Sequence, residues 1–168
     1  MRAALRRVRP IMSVVALAGL LGAGCHSPTA PGPSGSLSRF QLGYRLLAAY
    51  PDVFWCDPDF YPIAREGQEQ QNANAQFAAI RATADEFAAI LDHVGLSDKP
   101  SYTEAEQLAI YREHKLLTLA VQMTAAGADF TFVLRTGRSQ GVRIEGTITS
   151  AGTISEKNRQ SSFNTCPI

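Results

Sequence analysis

The hydrophobic pattern of this chain changes its period once, and that change limits the folds open to it. Between Glu66 and Ala126, apolar residues recur every three or four positions, the spacing of one face of an α-helix. After Gly127 they alternate with polar residues, which is typical of half-buried strands. Helices followed by strands, without strand–helix–strand alternation, predict an α+β domain with an antiparallel sheet.

Capping signals and helical periodicity place three helices ahead of the strands, over residues 38–50, 66–94 and 103–126. The middle helix has one long apolar seam, and Gly95 is well placed to end it. The third is the most apolar, so we expect it to be the central helix. The predicted architecture is three helices packed on one face of a three- to four-stranded antiparallel β-meander.

The predicted strands are joined by glycine-containing turns. Gly137 and Gly141 bracket the first turn, and Gly152 lies in the second. Arg143 and Glu145 fall on the polar face of their strand. There we expect a solvated charge ladder rather than a site.

The N-terminal segment is a predicted export signal. A basic start with four arginines precedes an uncharged run from Ile11 to Ala23. That run is shorter than the roughly 20 apolar residues that a membrane-spanning helix needs. It leads into the stretch Leu20-Leu21-Gly22-Ala23-Gly24-Cys25, which resembles the lipobox of bacterial lipoproteins.

This resemblance covers residues 1–25 and implies a membrane anchor. In the lipoprotein class the cysteine becomes the first mature residue and carries acyl chains such as palmitate, so Cys25 is the expected lipidation site and the lipid bilayer the expected partner. By similarity to enterobacterial sorting, His26 in the next position favours the outer membrane, on its periplasmic or surface face, if the bacterium is Gram-negative. The alternative is an ordinary secretory signal that leaves Cys25 as a free thiol.

The resemblance divides the chain into a signal peptide (1–24), a Pro/Gly/Ser-rich tether (25–36) and a single globular α+β domain (37–168). Removing residues 1–25 takes away four of the 16 basic residues and no acid, so 12 basic residues remain against 15 acidic ones. Because no positive excess is left to neutralise a phosphate backbone, nucleic acid is not an expected partner.

With Cys25 assigned to the lipid, Cys56 and Cys166 are the cysteines left for the domain. An exported protein folds in an oxidising compartment, where two thiols allow one intramolecular pairing. We therefore predict a Cys56–Cys166 disulfide. The alternative is a pair of buried, unpaired thiols.

An irregular, proline-interrupted loop over residues 51–65 gathers aromatic side chains around Cys56. They are Phe54, Trp55, Phe60 and Tyr61. Packing as a lid on the core is the favoured interpretation. The alternative is an exposed platform for a sugar or peptide, with Trp55 and Tyr61 as candidate ligand-binding residues.

The same loop contains Asp57 and Asp59, which have the spacing of carboxylates in a calcium loop. The turn glycine and the further oxygen ligands of such a loop do not follow, so no metal site is predicted. Asp-Pro turn chemistry explains the pair more simply, and both aspartates stay as weak ligand-binding candidates.

His114 is the titratable residue that most invites a catalytic interpretation. It falls on the apolar face of its helix beside Glu113, where its protonation could be tuned. A single histidine on such a face is more often a core residue with a satisfied hydrogen bond. No nucleotide fingerprint or nucleophile elbow accompanies it, so His114 and Glu113 are weak catalytic candidates and no cofactor is expected.

These observations favour a membrane-anchored bacterial envelope lipoprotein that acts as a non-enzymatic binding or structural module, with an envelope protein or glycan as partner. One alternative is an envelope hydrolase or metal-dependent enzyme, which needs His114, Glu113, Asp57 and Asp59 to meet in one pocket. Another is an assembly factor that docks a partner through the predicted long helix 66–94.

Overall fold

The computed structural model describes residues 35–166. The predicted signal peptide, the lipobox and most of the tether lie outside these residues, as do the last two positions. The described part is an α+β domain with an antiparallel sheet, as predicted. No helix in this part of the chain is long and apolar enough to cross a membrane.

Within residues 35–166 four α-helices, one π-helical turn and four strands follow one another. They are α1 (Arg39–Ala49), α2 (Gln68–Ala82), α3 (Ala84–Val94), α4 (Glu104–Lys115), the π-helical turn (Leu116–Ala120), β1 (Val121–Ala126), β2 (Asp129–Thr136), β3 (Gly141–Ile148) and β4 (Ile154–Ser162).

Both predicted capping boxes are present. At the start of α1 the hydroxyl of Ser38 accepts from the N–H of Gln41 (3.3 Å), and the Gln41 side chain accepts from the N–H of Ser38 (2.9 Å). Thr103 and Glu106 form the same pair of bonds at the start of α4. Each box satisfies two N–H groups that would otherwise lack an intrahelical partner.

The predicted long helix 66–94 is instead two helices, and this expectation was wrong. Thr83 leaves helical geometry (φ −89°, ψ 83°), and Asp85 with Glu86 in the first turn of α3 suits a new helix N-terminus. The break lets Phe77 of α2 and Phe87 of α3 both pack against the ring of Tyr102.

The third predicted helix also ends earlier than expected, at Lys115 rather than near Ala126. After the π-helical turn, Val121–Ala126 forms β1 and pairs antiparallel with β2. A short run of apolar and small residues fits either period, and here pairing with a neighbouring strand decides the outcome. Gly127 is a left-handed turn residue (φ 68°) between β1 and β2.

The sheet is a meander with strand order β1-β2-β3-β4. A bulge between Glu145 and Gly146 interrupts the pairing of β3 with β4. Gly146 lies opposite Phe132, and a Cβ at this glycine would come within 2.7 Å of the Phe132 ring. The aromatic ring in the core therefore requires glycine at this position.

The core consists of two clusters rather than one. The helical cluster joins α2, α3 and α4 around buried side chains such as Ile80, Ile90 and Ile110. The sheet cluster packs Leu42 and Leu46 of α1 against the sheet. The prediction that all three helices cover one face of the sheet was therefore too simple, because α2, α3 and α4 pack mainly on one another.

The predicted disulfide between Cys56 and Cys166 is present, with Cα atoms 5.5 Å apart across a sequence separation of 110 residues. It joins the loop after α1 to the segment after β4. In that segment the side-chain amide of Asn164 donates to the carbonyls of Thr136 (2.9 Å) and Gly137 (2.8 Å). The C-terminal segment is thus held against the end of the β2–β3 hairpin.

Candidate functional site

A buried lysine lies at the centre of the candidate site. Lys115, the last residue of α4, has a side chain that is 3% exposed. Its ammonium nitrogen lies 2.7 Å from Oδ2 of Asp57, 2.6 Å from Oδ2 of Asp59 and 3.0 Å from Oε1 of Glu69. In each of these charge-assisted hydrogen bonds the ammonium group donates. We call these four residues the lysine clamp.

Three separate parts of the chain supply the lysine clamp. The loop after α1 supplies both aspartates, and its turn is closed by the N–H of Asp59, which donates to Oδ1 of Asp57 at 3.0 Å. Glu69 lies in the first turn of α2, and Lys115 ends α4. The clamp therefore ties the loop to two helices.

Neighbouring polar groups complete the hydrogen bonding of the acids. Asn72 donates to Oδ1 of Asp59 at 2.5 Å, and Arg112 donates two hydrogen bonds to Glu69 at 3.0 and 2.5 Å. The ring of Tyr111 lies 4.7 Å from the ammonium nitrogen, a cation–π distance. Burial, with Asp59 nearby, raises the pKa of Tyr111 to about 12.

Burial and hydrogen bonding act in opposite directions on the pKa values of the clamp. Burial favours the neutral amine of Lys115, but hydrogen bonds to the carboxylates outweigh it and raise the pKa. Burial of Asp59 is likewise outweighed, by hydrogen bonds from Lys115 and Asn72, and its pKa is lowered. Hydrogen bonds from Arg112 are the main reason that the pKa of Glu69 is lowered. These three clamp groups are therefore charged at neutral pH.

The three carboxylates also meet the spacing of a metal site. Carboxylate oxygens of Asp57, Asp59 and Glu69 lie within 4.8 Å of one another, and hard cations such as Ca²⁺ prefer oxygen ligands. The ammonium group of Lys115 supplies a positive charge at hydrogen-bonding distance from all three. A metal ion would therefore have to displace a lysine whose charge the site already stabilises.

Beyond the clamp, the loop presents apolar side chains to solvent. Phe60 is 47% exposed, Tyr61 44% and Ile63 74%. We call residues 60–63 the aromatic loop. Phe60 and Tyr61 therefore do not pack on the core as the predicted lid, whereas Trp55 is half-buried. A rigid base and an exposed apolar tip are the features of a platform.

The aromatic loop borders a surface cavity of about 370 Å³. Its lining combines apolar side chains with amide, carboxylate and guanidinium groups, from residues that include Asp59, Tyr61, Ile63, Arg65, Gln68 and Asn72. Gln68 and Asn72 are fixed by a hydrogen bond to each other at 3.0 Å. Pockets for small ligands share this mixture of apolar surface and a few oriented polar groups.

The predicted catalytic candidates lie in a different environment. Nδ1 of His114 is 2.6 Å from Oε1 of Glu86, which is 4% exposed. Glu113, the sequence neighbour of His114, instead faces His93, with Nε2 to Oε2 3.8 Å. His114 thus has a buried carboxylate partner on α3, as expected of a core histidine with a satisfied hydrogen bond.

A stacked pair of rings adjoins this group. Tyr44 of α1 stacks on His93 with centroids 3.9 Å apart and an interplanar angle of 12°. The Tyr44 hydroxyl and Oε2 of Glu113 are buried and form no well-oriented hydrogen bond among the described residues. Burial, and then the negative charge of Glu113, hold the pKa of Tyr44 well above its ordinary value.

The sequence candidates therefore separate into groups. Asp57 and Asp59 bind Lys115, and Tyr61 shares a cavity with Asp59. His114 binds Glu86 instead. The enzyme hypothesis requires these acids and the histidine to meet in one pocket. Among the described residues, their contacts place them in separate groups.

Sequence reasoning did not identify Lys115, Glu69 or Asn72. The available signal was Lys115 itself, which lies one helical turn after Tyr111 in the predicted helix 103–126. A lysine on an apolar helix face needs buried acids as partners. Asp57 and Asp59, in the loop over residues 51–65, were the acids that the sequence offered as partners.

Comparison of the chain with protein-family models, curated proteins and solved structures finds no match.

Proposed function

We propose that this protein is a lipid-anchored lipoprotein of the bacterial envelope, carrying a non-enzymatic domain that binds a glycan at the aromatic loop. The observation that carries the proposal is an exposed aromatic and aliphatic surface on a base fixed by the lysine clamp. Tyr61 and Ile63 are exposed there beside the cavity of about 370 Å³.

Rigidity is the first argument for a binding role. Lys115 and its three carboxylates bind the loop to α2 and α4 immediately beside the exposed side chains. A surface that is ordered before the ligand arrives avoids the conformational entropy that binding would otherwise remove. Exposed apolar side chains concentrated within four residues are also unfavourable in water unless a partner covers them.

The chemistry of the cavity favours a glycan. A sugar ring has an apolar face of C–H groups and an edge of hydroxyls. Tyr61 offers an aromatic face, while Arg65, Gln68 and Asn72 offer donors and acceptors for hydroxyls. A stable protein partner would need a contact of at least about 1,000 Å², which is large for a four-residue loop.

The alternative functions receive less support. A hydrolase would need an activated nucleophile or metal next to its acid and base, whereas the clamp carboxylates are held by Lys115 and His114 by Glu86. The assembly factor was to dock through one long helix. The apolar seam of that predicted helix is divided at Thr83, and seam residues such as Ala73, Ile80 and Leu91 are buried in the core.

Binding can be tested with the full-length chain purified in detergent. The probe is chitotetraose, a soluble oligomer of N-acetylglucosamine, titrated by isothermal calorimetry. We expect saturable binding that Tyr61→Ala weakens by about fivefold, because loss of an aromatic contact costs about 1 kcal/mol. Phe163→Ala is the matched control, since Phe163 is 74% exposed and does not line this cavity. Equal binding by Tyr61→Ala, or none by the wild type, would reject the glycan proposal.

The anchor has a separate test. Mass spectrometry of protein extracted from the bacterial envelope should find Cys25 as the first residue, carrying acyl chains. An unacylated N-terminus would refute the anchor without affecting the binding measurement.

A further inference from the structure

Two arginines on neighbouring strands lie directly opposite each other. Arg135 of β2 and Arg143 of β3 are register partners. Directly opposite residues of an antiparallel pair project from the same face of the sheet with Cβ atoms about 5 Å apart, and like charges in that arrangement repel. We call these two residues the arginine pair.

The charge of the arginine pair is only partly neutralised. Arg143 contacts the carboxylate of Glu145 two residues along β3. Arg135 is exposed and forms no ion pair with a carboxylate among residues 35–166. The three side chains together therefore retain one positive charge.

Both arginines line a cavity of about 450 Å³ that is separate from the aromatic loop. Trp55 and Phe54 give it aromatic surface, and Gln122 adds a polar side chain from β1. The volume lies within the range for small-molecule sites.

The walls of this cavity are fixed by covalent and hydrogen bonds. Cys56, which lines it, is bonded to Cys166, and the N–H of Phe54 donates to the carbonyl of Arg135 at 2.6 Å. The cavity therefore keeps aromatic surface beside the unbalanced positive charge.

We propose that this cavity binds a small anionic molecule, with a carboxylate or phosphate group between Arg135 and Arg143 and an apolar or ring-shaped body against Trp55. Guanidinium groups bind these anions through paired, parallel hydrogen bonds. An anion between the two arginines removes their mutual repulsion, and this gain is absent for a neutral ligand. The site is independent of the proposed glycan site.

The test uses Trp55, the single tryptophan of the chain, as a fluorescent reporter. The full-length protein in detergent is titrated with phenyl phosphate, with benzoate and with neutral benzyl alcohol. We expect a saturable change in Trp55 fluorescence with at least one of the two anions, and affinity at least about tenfold weaker for benzyl alcohol. Sodium chloride should weaken binding of the anion.

Variants assign the effect to the arginine pair. Arg135→Gln should weaken anion binding at least about tenfold. Arg138→Gln, which replaces an exposed arginine of the β2–β3 turn outside the cavity lining, should bind within about twofold of the wild type. Urea unfolding of Arg135→Gln establishes that the variant is folded. The proposal is overturned if neither anion gives a saturable change, or if folded Arg135→Gln binds as tightly as the wild type. Failure of chitotetraose to bind has no bearing on this result.

Discussion

In the lysine clamp the carboxylates outnumber the cationic groups, whereas beside the arginine pair the cationic groups outnumber the carboxylates. In the clamp, one ammonium group with a 3% exposed side chain meets three carboxylates. Of the two guanidinium groups of the arginine pair, that of Arg143 contacts a carboxylate, that of Glu145. The clamp lies between helices and a loop, whereas the pair lies on an open sheet face beside a cavity.

The difference separates charges that the fold needs from charges available to a ligand. A charge removed from water must be compensated within the protein, since an unpaired buried charge destabilises the folded state by several kcal/mol. The clamp meets that requirement. Arg135 keeps contact with solvent, so its charge can stay uncompensated at small cost until an anion binds.

Removing the lysine of the clamp should have the largest effect. Lys115→Met leaves three carboxylates facing one another without their cation, and we expect the free energy of unfolding to fall by about 4 kcal/mol. Urea denaturation followed by circular dichroism measures the loss.

Lys157→Met is the matched control, because Lys157 is an exposed residue of β4 and its replacement should change stability by less than about 0.5 kcal/mol. Equal stabilities for the two variants would mean that the clamp does not hold the loop.

Removing the disulfide should have the next largest effect. Replacing both Cys56 and Cys166 with serine is expected to lower the free energy of unfolding by about 3 kcal/mol, because the unfolded chain regains the freedom that the bond removes. The bond borders the arginine cavity, so the Trp55 fluorescence response to anions should weaken as well. Full anion affinity in a folded double variant would show that the bond does not shape the cavity.

The sequence predicts some parts of the fold and misassigns others. The disulfide follows from counting the cysteines after Cys25, and the alternation in β2 and β3 follows from side chains that project to opposite faces. Thr83 and the residues of β1 were misassigned, because local spacing there fits one helix while contacts distant in sequence determine the break and the pairing.

Sites defined by contacts distant in sequence could be predicted only in part. Asp57 and Asp59 were recognised as a turn, but their partner Lys115 lies more than 50 residues away. Arg143 was assigned to a solvated ladder with Glu145. Its contact with that carboxylate agrees, but its opposition to Arg135 depends on the register of β2 with β3, which the pattern of residues did not specify.

The pKa shifts in the lysine clamp predict how its contribution to stability depends on pH. The pKa values of Asp59 and Glu69 are lowered on folding, so their contribution is present above the ordinary values of 3.8 and 4.5 and is lost as pH falls through the folded values. The pKa of Lys115 is raised, so its contribution is present below 10.5 and is lost as pH rises through the folded value. Stability should therefore be level between about pH 5 and pH 10 as far as the clamp is concerned.

Glu69→Gln tests this assignment. It should lower stability by about 2 kcal/mol at pH 7, because the ionic hydrogen bonds from Arg112 and Lys115 weaken. Between pH 5 and pH 2 the variant should lose less stability than the wild type, since it lacks one of the carboxyl groups whose pKa is lowered on folding. Urea unfolding at several pH values measures both quantities. Parallel profiles for the two proteins would exclude Glu69 as a source of the acid sensitivity.

The smallest predicted effect has the opposite sign. Arg135→Gln removes one of two like charges that lie directly opposite, so the free energy of unfolding should rise by about 0.5 kcal/mol at low ionic strength. High salt should reduce the gain, because it screens the repulsion in the wild type. Arg138→Gln, on the same hairpin but outside the pair, should show no such gain.

Adding a binding anion should reverse the order of stability of the wild type and Arg135→Gln. The anion stabilises the wild type by an amount that grows with the logarithm of its concentration relative to its Kd, and it leaves Arg135→Gln almost unchanged. Unfolding curves with and without phenyl phosphate thus measure repulsion and binding at the same residue. A loss of stability in Arg135→Gln without ligand would mean that Arg135, like Lys115, contributes to the fold, and the contrast between the two regions would no longer hold.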